Sequence, residues 1–320
     1  MTNKSAIPDE VSAFYDRTLL DRAVAMFIHT QFAQVRDLPK NAGTSTIKFR
    51  RYGNLSAATT PLTEGVTPAG SDLSVTDITA VVAQYGDFTT VSDVVDYSSQ
   101  DMVLMEAAEI LGDQAGDTLD QLTRDVLAAG TSASYSGTGN TQNDHVAAGD
   151  VIDKADITAA VTTLKLNNAK KVTRMIDPST GYATAPVNAS FIGICHPNIS
   201  NTLRTLTGWV SVEQYPSQKT VLPGEIGAIE EVRFIETTNA KVFTAAGTGG
   251  IDVYGTLIFG MNAYGISRIS GEAMKNIVKP LGSAGSADPL DQRATSGWKA
   301  TFVAKILNNA FMTRIVSAAS

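Results

Sequence analysis

Thr46-Ile47-Lys48-Phe49-Arg50-Arg51-Tyr52 alternates apolar and polar side chains, as a strand with one covered face does. A second stretch, Ile78 to Ser92, is rich in Val, Thr, Tyr and Phe and also reads as β. Between them lies a polar segment punctuated by Gly53-Asn54, Pro61, Gly65, Pro68 and Gly70. The pattern predicts a long two-stranded arm over 44–93. A lone ribbon of two strands is marginal in water and leaves open edges that invite pairing with another chain. The arm makes best sense if a second subunit covers it. A β-meander packed on its own core is the competing reading of the same residues.

The segment after the arm, 98–129, reads as one helix. Ala108, Leu111, Ala115, Leu119, Leu122 and Val126 recur every three or four residues. Glu106, Glu109, Asp113, Asp117 and Asp120 recur at the same spacing and fall on the opposite face. Ser98 with Asp101 suits a capping box, and Gly130 ends the run. The helix would be roughly 45 Å long, a spine for a flat molecule. Before the arm, residues 1–39 turn from polar to amphipathic and suggest an N-terminal arm with one or two short helices. After the spine, 131–150 is a Ser/Gly/Thr/Asn-rich loop. A second helix is expected at Ala155–Asn168 and another from Pro197 to Leu206. Short strands are expected at Phe191–Cys195, Glu231–Ile235, Lys241–Thr244 and Val253–Phe259. Trp298 to Val316 reads as a long strand or a hairpin. No internal repeat is present.

Composition narrows the function. The 320 residues are 43% hydrophobic, enough for one large or two modest domains. The formal net charge is −7, and no basic stripe of the kind that reads a duplex stands out. Cys195 is the single cysteine, so no intrachain disulfide exists and a reducing compartment is expected. No apolar signal core opens the sequence, and no run reaches the ~20 apolar residues that span a bilayer. The expectation is a soluble protein made in a cytoplasm, with no membrane partner.

No catalytic set emerges. His29, His145 and His196 share no ligand spacing, so no metal is expected. Cys195 and His196 are adjacent on a strand and point to opposite faces, which makes Cys195 a core residue and not a nucleophile. There is no complete nucleophile elbow and no phosphate loop; Gly137-Thr138-Gly139 and Gly247-Thr248-Gly249 read as turns. Asp113 and Asp117 could hold a hard cation, but a solvated helix face explains them as well. Glu230-Glu231 are adjacent carboxylates expected to diverge. No catalytic residue, cofactor or metal site is assigned, and the chain is not expected to be an enzyme.

Several stretches resemble the major capsid protein family typified by the short-tailed phage N-four. They are Lys48–Tyr52; Ala57 to Pro68; Gln84-Tyr85-Gly86-Asp87 with Ser92-Asp93; Ala115–Asp120 with Arg124–Leu127; Asp288–Arg293; and Gly297–Ala300. The resemblance implies an α+β fold, the capsid fold first named for coliphage Hong Kong ninety-seven. Mapped on this chain it gives an N-terminal arm (1–43), an extended β-loop (44–93), a peripheral domain with the spine helix (94–169), an axial domain (170–270) and a return to the peripheral domain with a C-terminal strand (271–320). The axial domain comes from the resemblance alone.

The function so implied is a major capsid protein that assembles as hexamers and pentamers into an icosahedral head around a double-stranded DNA genome. Expected partners are other copies of itself, a separate scaffolding protein, a portal and decoration proteins. The enclosed DNA would be held without sequence-specific contact. No crosslink between subunits is expected. The candidate interface residues are Arg50, Arg51, Tyr52, Glu64, Asp113 and Asp117, with the two arginines reaching carboxylates of a neighbour. A capsid decoration protein and a soluble α+β enzyme are the alternatives.

Overall fold

The computed structural model describes residues 27–40, 43–53, 55–67, 70–98, 103–173, 187–216, 221–270, 274–283 and 288–319. The expected short helices before residue 27 and the Ser98–Asp101 cap lie outside the described residues or side chains.

Two sheets and a ribbon make up the fold. The first sheet is organised around one long strand, β14 (Arg293–Ile306). It pairs antiparallel with β4 (Ala83–Ser92) over 293–302 and with β13 (Met274–Lys279) over 295–300. Both partners use the same β14 residues, so they occupy its opposite edges. Beyond them β14 pairs with β12 (Tyr264–Ile269), and β1 (Gln34–Leu38) joins parallel to β12. Short helix α1 (Asp93–Ser98) leads from β4 toward the long helix α2 (Val103–Ala128). Leu111, Ala115 and Leu119 of α2 pack on Trp298, Ala300, Phe302 and Ala304, the alternate residues of β14. Gln114 ties the layers: it accepts from the Trp298 indole at 3.1 Å and donates to Asp87 of β4 at 2.7 Å.

The second sheet has the order β5-β15-β11-β6-β9-β8-β7, with β10 also on β11. Its strands are β5 (Ala133–Tyr135), β6 (Phe191–Cys195), β7 (Val210–Ser211), β8 (Glu225–Ile229), β9 (Val232–Glu236), β10 (Lys241–Phe243), β11 (Val253–Phe259) and β15 (Met312–Ser317). Helix α3 (Lys154–Leu166) covers one face with Ile157, Ala160, Val161 and Leu164, and α4 (Pro197–Thr205) adds Ile199 and Leu203. The end of α2, through Leu127, covers the other face with Ile192, Ile194, Leu257 and Phe259. With both faces covered, β6 and β11 are buried at every residue, which explains their mostly apolar sequences.

Most elements fall where the sequence places them, and three departures have physical causes. Ile78–Ser92 is not one strand. It divides at Val82: β3 (Val75–Val81) pairs with β2 (Thr46–Tyr52), while β4 crosses to β14. Trp298–Val316 is not a hairpin either. Its two strands enter different sheets, turned by a 3-10 step at Asn309–Phe311 in which the Asn308 side chain accepts from Ala310 N–H. Asp120 does not belong to a solvated stripe. It is fully buried and accepts from the backbone N–H groups of Ile28 (3.0 Å) and His29 (2.7 Å), and its second oxygen meets His29 Nδ1 at 2.7 Å.

The Glu230-Glu231 turn between β8 and β9 carries positive φ at both residues, 47° and 64°. Non-glycine residues pay about 1–2 kcal/mol each there. The carboxylates diverge as expected: Glu230 meets Lys154 at 3.0 Å at the start of α3, and Glu231 meets Lys165 near its end at 2.8 Å.

Candidate assembly interface

The ribbon β2–β3 has two unlike halves. At its base Ile47, Phe49 and Ala80 are buried against Val303 and Leu307 of the chain's own body. Seven pairs run in register from Thr46↔Val81 to Tyr52↔Val75, and Gly53 N–H extends the ladder to Ser74 O at 2.9 Å. Beyond the base the cover stops. Every described residue from Arg50 through Asp77 is exposed. The outer half carries Tyr52, Leu55, Leu62, Val66, Leu73 and Val75 in contact with solvent. Near the far end a turn closes with Val66 N–H on Thr63 O at 3.2 Å and presents Glu64 between Leu62 and Val66.

Arg50 finds its carboxylate within the ribbon. It lies directly opposite Asp77, with Nε on Oδ1 at 2.9 Å and Nη2 on Oδ2 at 3.4 Å. The hydrogen bond from Arg50 holds the Asp77 carboxyl below its ordinary range and raises the guanidinium in turn. Within the subunit Arg50 thus makes a cross-strand pair set by the register. Alternation along a hairpin would have found Asp77 once the pairing was known.

Arg50, Arg51 and Tyr52 come together on one groove of about 320 Å³, which Arg36, Asn262 and Asn308 also line. Glu64 sits at the other end of the arm. Asp113 and Asp117 lie on α2. Asp117 accepts from Asn239 at 2.6 Å and from Gln121 at 2.7 Å, so it braces the spine helix against the loop before β10. The six candidates thus separate into a basic groove, an arm tip and a helix bracing point.

The remaining reactive groups are engaged in structure. Cys195 is buried, and desolvation followed by the charge of Glu236 pushes its thiol up to about 12. His196 caps α4 by accepting from Asn198 N–H at 3.2 Å. Arg233 and Glu225, both buried, form a pair whose carboxylate also accepts from Tyr215 Oη at 2.8 Å and Leu222 N–H at 2.9 Å. No helix among the described residues is long and apolar enough to cross a membrane.

The fold matches solved shells over nearly its whole length. The capsid of Ralstonia phage GP4 aligns with a TM-score of 0.70 at 12% identity, covering 90% of this chain and 87% of that one. The cyanophage Pam1 capsid subunit aligns at 0.65 and 14% identity, covering 93% and 92%. The head protein of Helicobacter pylori bacteriophage KHP40 aligns at 0.60 and 12% identity, covering 93% and 90%. No curated protein sequence matches the chain. The family model described as phage capsid protein matches residues 28–265, from the segment held by Asp120 through the start of β12. The chain therefore belongs to the phage capsid protein family.

Proposed function

We propose that this chain is the major capsid protein of a tailed bacteriophage, of the type resembling phage N-four. It assembles as hexamers and pentamers into an icosahedral head around double-stranded DNA. In this reading the first sheet with α2 is the peripheral domain. The second sheet with α3 and α4 is the axial domain, and residues 44–82 form the extended loop. The observation that carries it is the arm. From Arg50 to Asp77 the chain leaves its own body and exposes six large apolar side chains that nothing in the subunit covers. Isolated exposed apolar residues are ordinary, but a row of them on a projecting ribbon marks a surface for another molecule. Repetition of one such contact around closed symmetry gives a shell.

The chain's role is structural and not enzymatic. Its one thiol is sealed in the core and its adjacent histidine is used as a helix cap. Folding in the host cytoplasm, a separate scaffold, a portal and decoration proteins complete the proposal. The net charge of −7 disfavours adhesion of the wall to packaged DNA. The test is assembly of purified protein, alone and with its scaffold, followed by electron microscopy. Closed particles of uniform size are expected; a strictly monomeric protein under every assembly condition overturns the proposal.

A further inference from the structure

The crevice beneath the base of the arm gathers two cations that nothing among the described residues neutralises. It opens between β2 of the ribbon and β1, an edge strand of the first sheet. Ile47 and Phe49 face the body, so Arg51 follows them onto that side by strand alternation. Arg36 enters from β1, two residues before the buried Leu38. The nearest acids are already engaged, Asp37 by Arg268 at 3.2 Å and Asp77 by Arg50 at 2.9 Å. No Asp or Glu lines the crevice. Two guanidiniums on one concavity repel each other, and an anion between them relieves that repulsion.

The rest of the wall narrows the chemistry of the anion. Guanidinium groups only donate hydrogen bonds. Asn308 uses its carboxamide oxygen on Ala310 N–H at 3.2 Å, which leaves its amide hydrogens as donors. Asn262 adds a second carboxamide from the β11–β12 turn, where its φ is 59°. Together they offer more donors than the lone pairs of one carboxylate take up, and they suit the terminal oxygens of a phosphate monoester. Phe49 and Leu307 supply an apolar wall. The Phe49 ring lies close over Gly265, where a Cβ would stand 3.0 Å from it. The volume, about 320 Å³, is at the small end for sites that take small organic ligands. Outward along the arm, residues 53–74 carry no Lys or Arg, so no basic track continues for a polynucleotide.

We infer that this crevice binds a phosphate monoester, a small ligand of the nucleotide type, with Arg36 and Arg51 on the phosphate and Phe49 and Leu307 beside its organic part. Arg36 belongs to the body and Arg51 to the ribbon, so the bound phosphate ties the arm's base to the first sheet and stiffens it. The inference goes beyond the shell reading and does not depend on it.

The test is calorimetric titration of dispersed wild-type subunits with four probes: deoxyadenosine monophosphate, inorganic phosphate, a thymidine oligonucleotide without terminal phosphates, and a polyglutamate peptide. The mononucleotide is expected to bind saturably at one site per chain and to be displaced by inorganic phosphate. Its affinity is expected to rise with pH through the second phosphate pKa of about 6, an ionisation that a phosphodiester lacks. Arg36→Ala and Arg51→Ala, confirmed folded by circular dichroism, should each weaken binding roughly tenfold. Arg51→Lys should restore only part, because an ammonium lacks the two-pronged fork. Lys299→Ala, an exposed lysine of β14 outside the crevice, should leave binding unchanged. Amides of Lys48–Tyr52 should exchange more slowly with ligand bound. The wild-type competition stands by itself if a variant does not fold. Absence of saturable binding at millimolar mononucleotide, equal weakening by Lys299→Ala, or preference for the oligonucleotide or the peptide overturns the inference.

Discussion

Replacing Asp120 with alanine removes the acceptor on which the chain's entry into the body depends. Two backbone N–H groups, at Ile28 and His29, lose a carboxylate at 3.0 and 2.7 Å, and the His29 ring loses a 2.7 Å partner. Asp120 and His29 are both fully buried, so water cannot readily replace what is lost. Each buried donor left unsatisfied costs about 1–3 kcal/mol. The three contacts share one site and do not add, so a total of about 3–5 kcal/mol is expected, typical of breaking one side of a buried pair. The cost need not unfold the molecule, because the segment around His29 can detach alone. Hydrogen exchange on unassembled subunits separates these outcomes. The amides of residues 28 and 29 should exchange at least a hundredfold faster in Asp120→Ala, while the β11 amides keep their protection. Tyr264, whose hydroxyl donates to His29 O, should lose its fixed environment in near-ultraviolet dichroism. Wild-type exchange at residues 28 and 29 in a folded Asp120→Ala subunit would refute the reasoning.

Cys195 should resist iodoacetamide in the native subunit near neutral pH and react fully in urea, because burial holds its thiol up near 12; prompt native labelling would contradict the core assignment. Glu225→Gln should lower stability by about 3–5 kcal/mol in urea titration, since it removes the carboxylate charge that faces the buried Arg233 guanidinium. Asp77, Asp87 and Asp150 are held below the ordinary carboxyl range, chiefly by hydrogen bonds from Arg50, from Gln114 and from Ala147 N–H respectively. A depressed folded value stabilises the folded form above the unfolded pKa of about 3.9, and that stabilisation disappears as pH falls through the folded value. The urea midpoint should therefore hold down to about pH 5 and fall below about pH 4, and Asp150→Asn should flatten part of that fall.

What the sequence revealed follows from which interactions are local. Val253–Phe259 and Phe191–Cys195 are legible as strands because full burial writes itself as short, mostly apolar runs. The buried stripe of α3 is legible at helical spacing, residue for residue. The ribbon's first strand shows alternation because its base is half covered. The switch at Val82 is invisible locally, since β3 and β4 share the same Val- and Thr-rich composition and differ only in the partner each meets. Asp120 looked like one more acid in a stripe; its acceptor role is set by His29, 91 residues away. The crevice beneath the arm was equally hidden, because Arg36, Arg51 and Asn308 come from three separate stretches.

The division at Val82 has a mechanical consequence. The strand that leaves the ribbon continues without a loop into β4, which lies against β14 from Ala83↔Phe302 to Ser92↔Arg293. A tug on the arm's returning strand is handed straight to that whole length of ladder. Load applied along the strand shears its rungs together and does not peel them singly. Strain imposed on the arm would thus be borne by the longest strand pairing among the described residues, spliced to the helix behind it by Trp298 and Gln114.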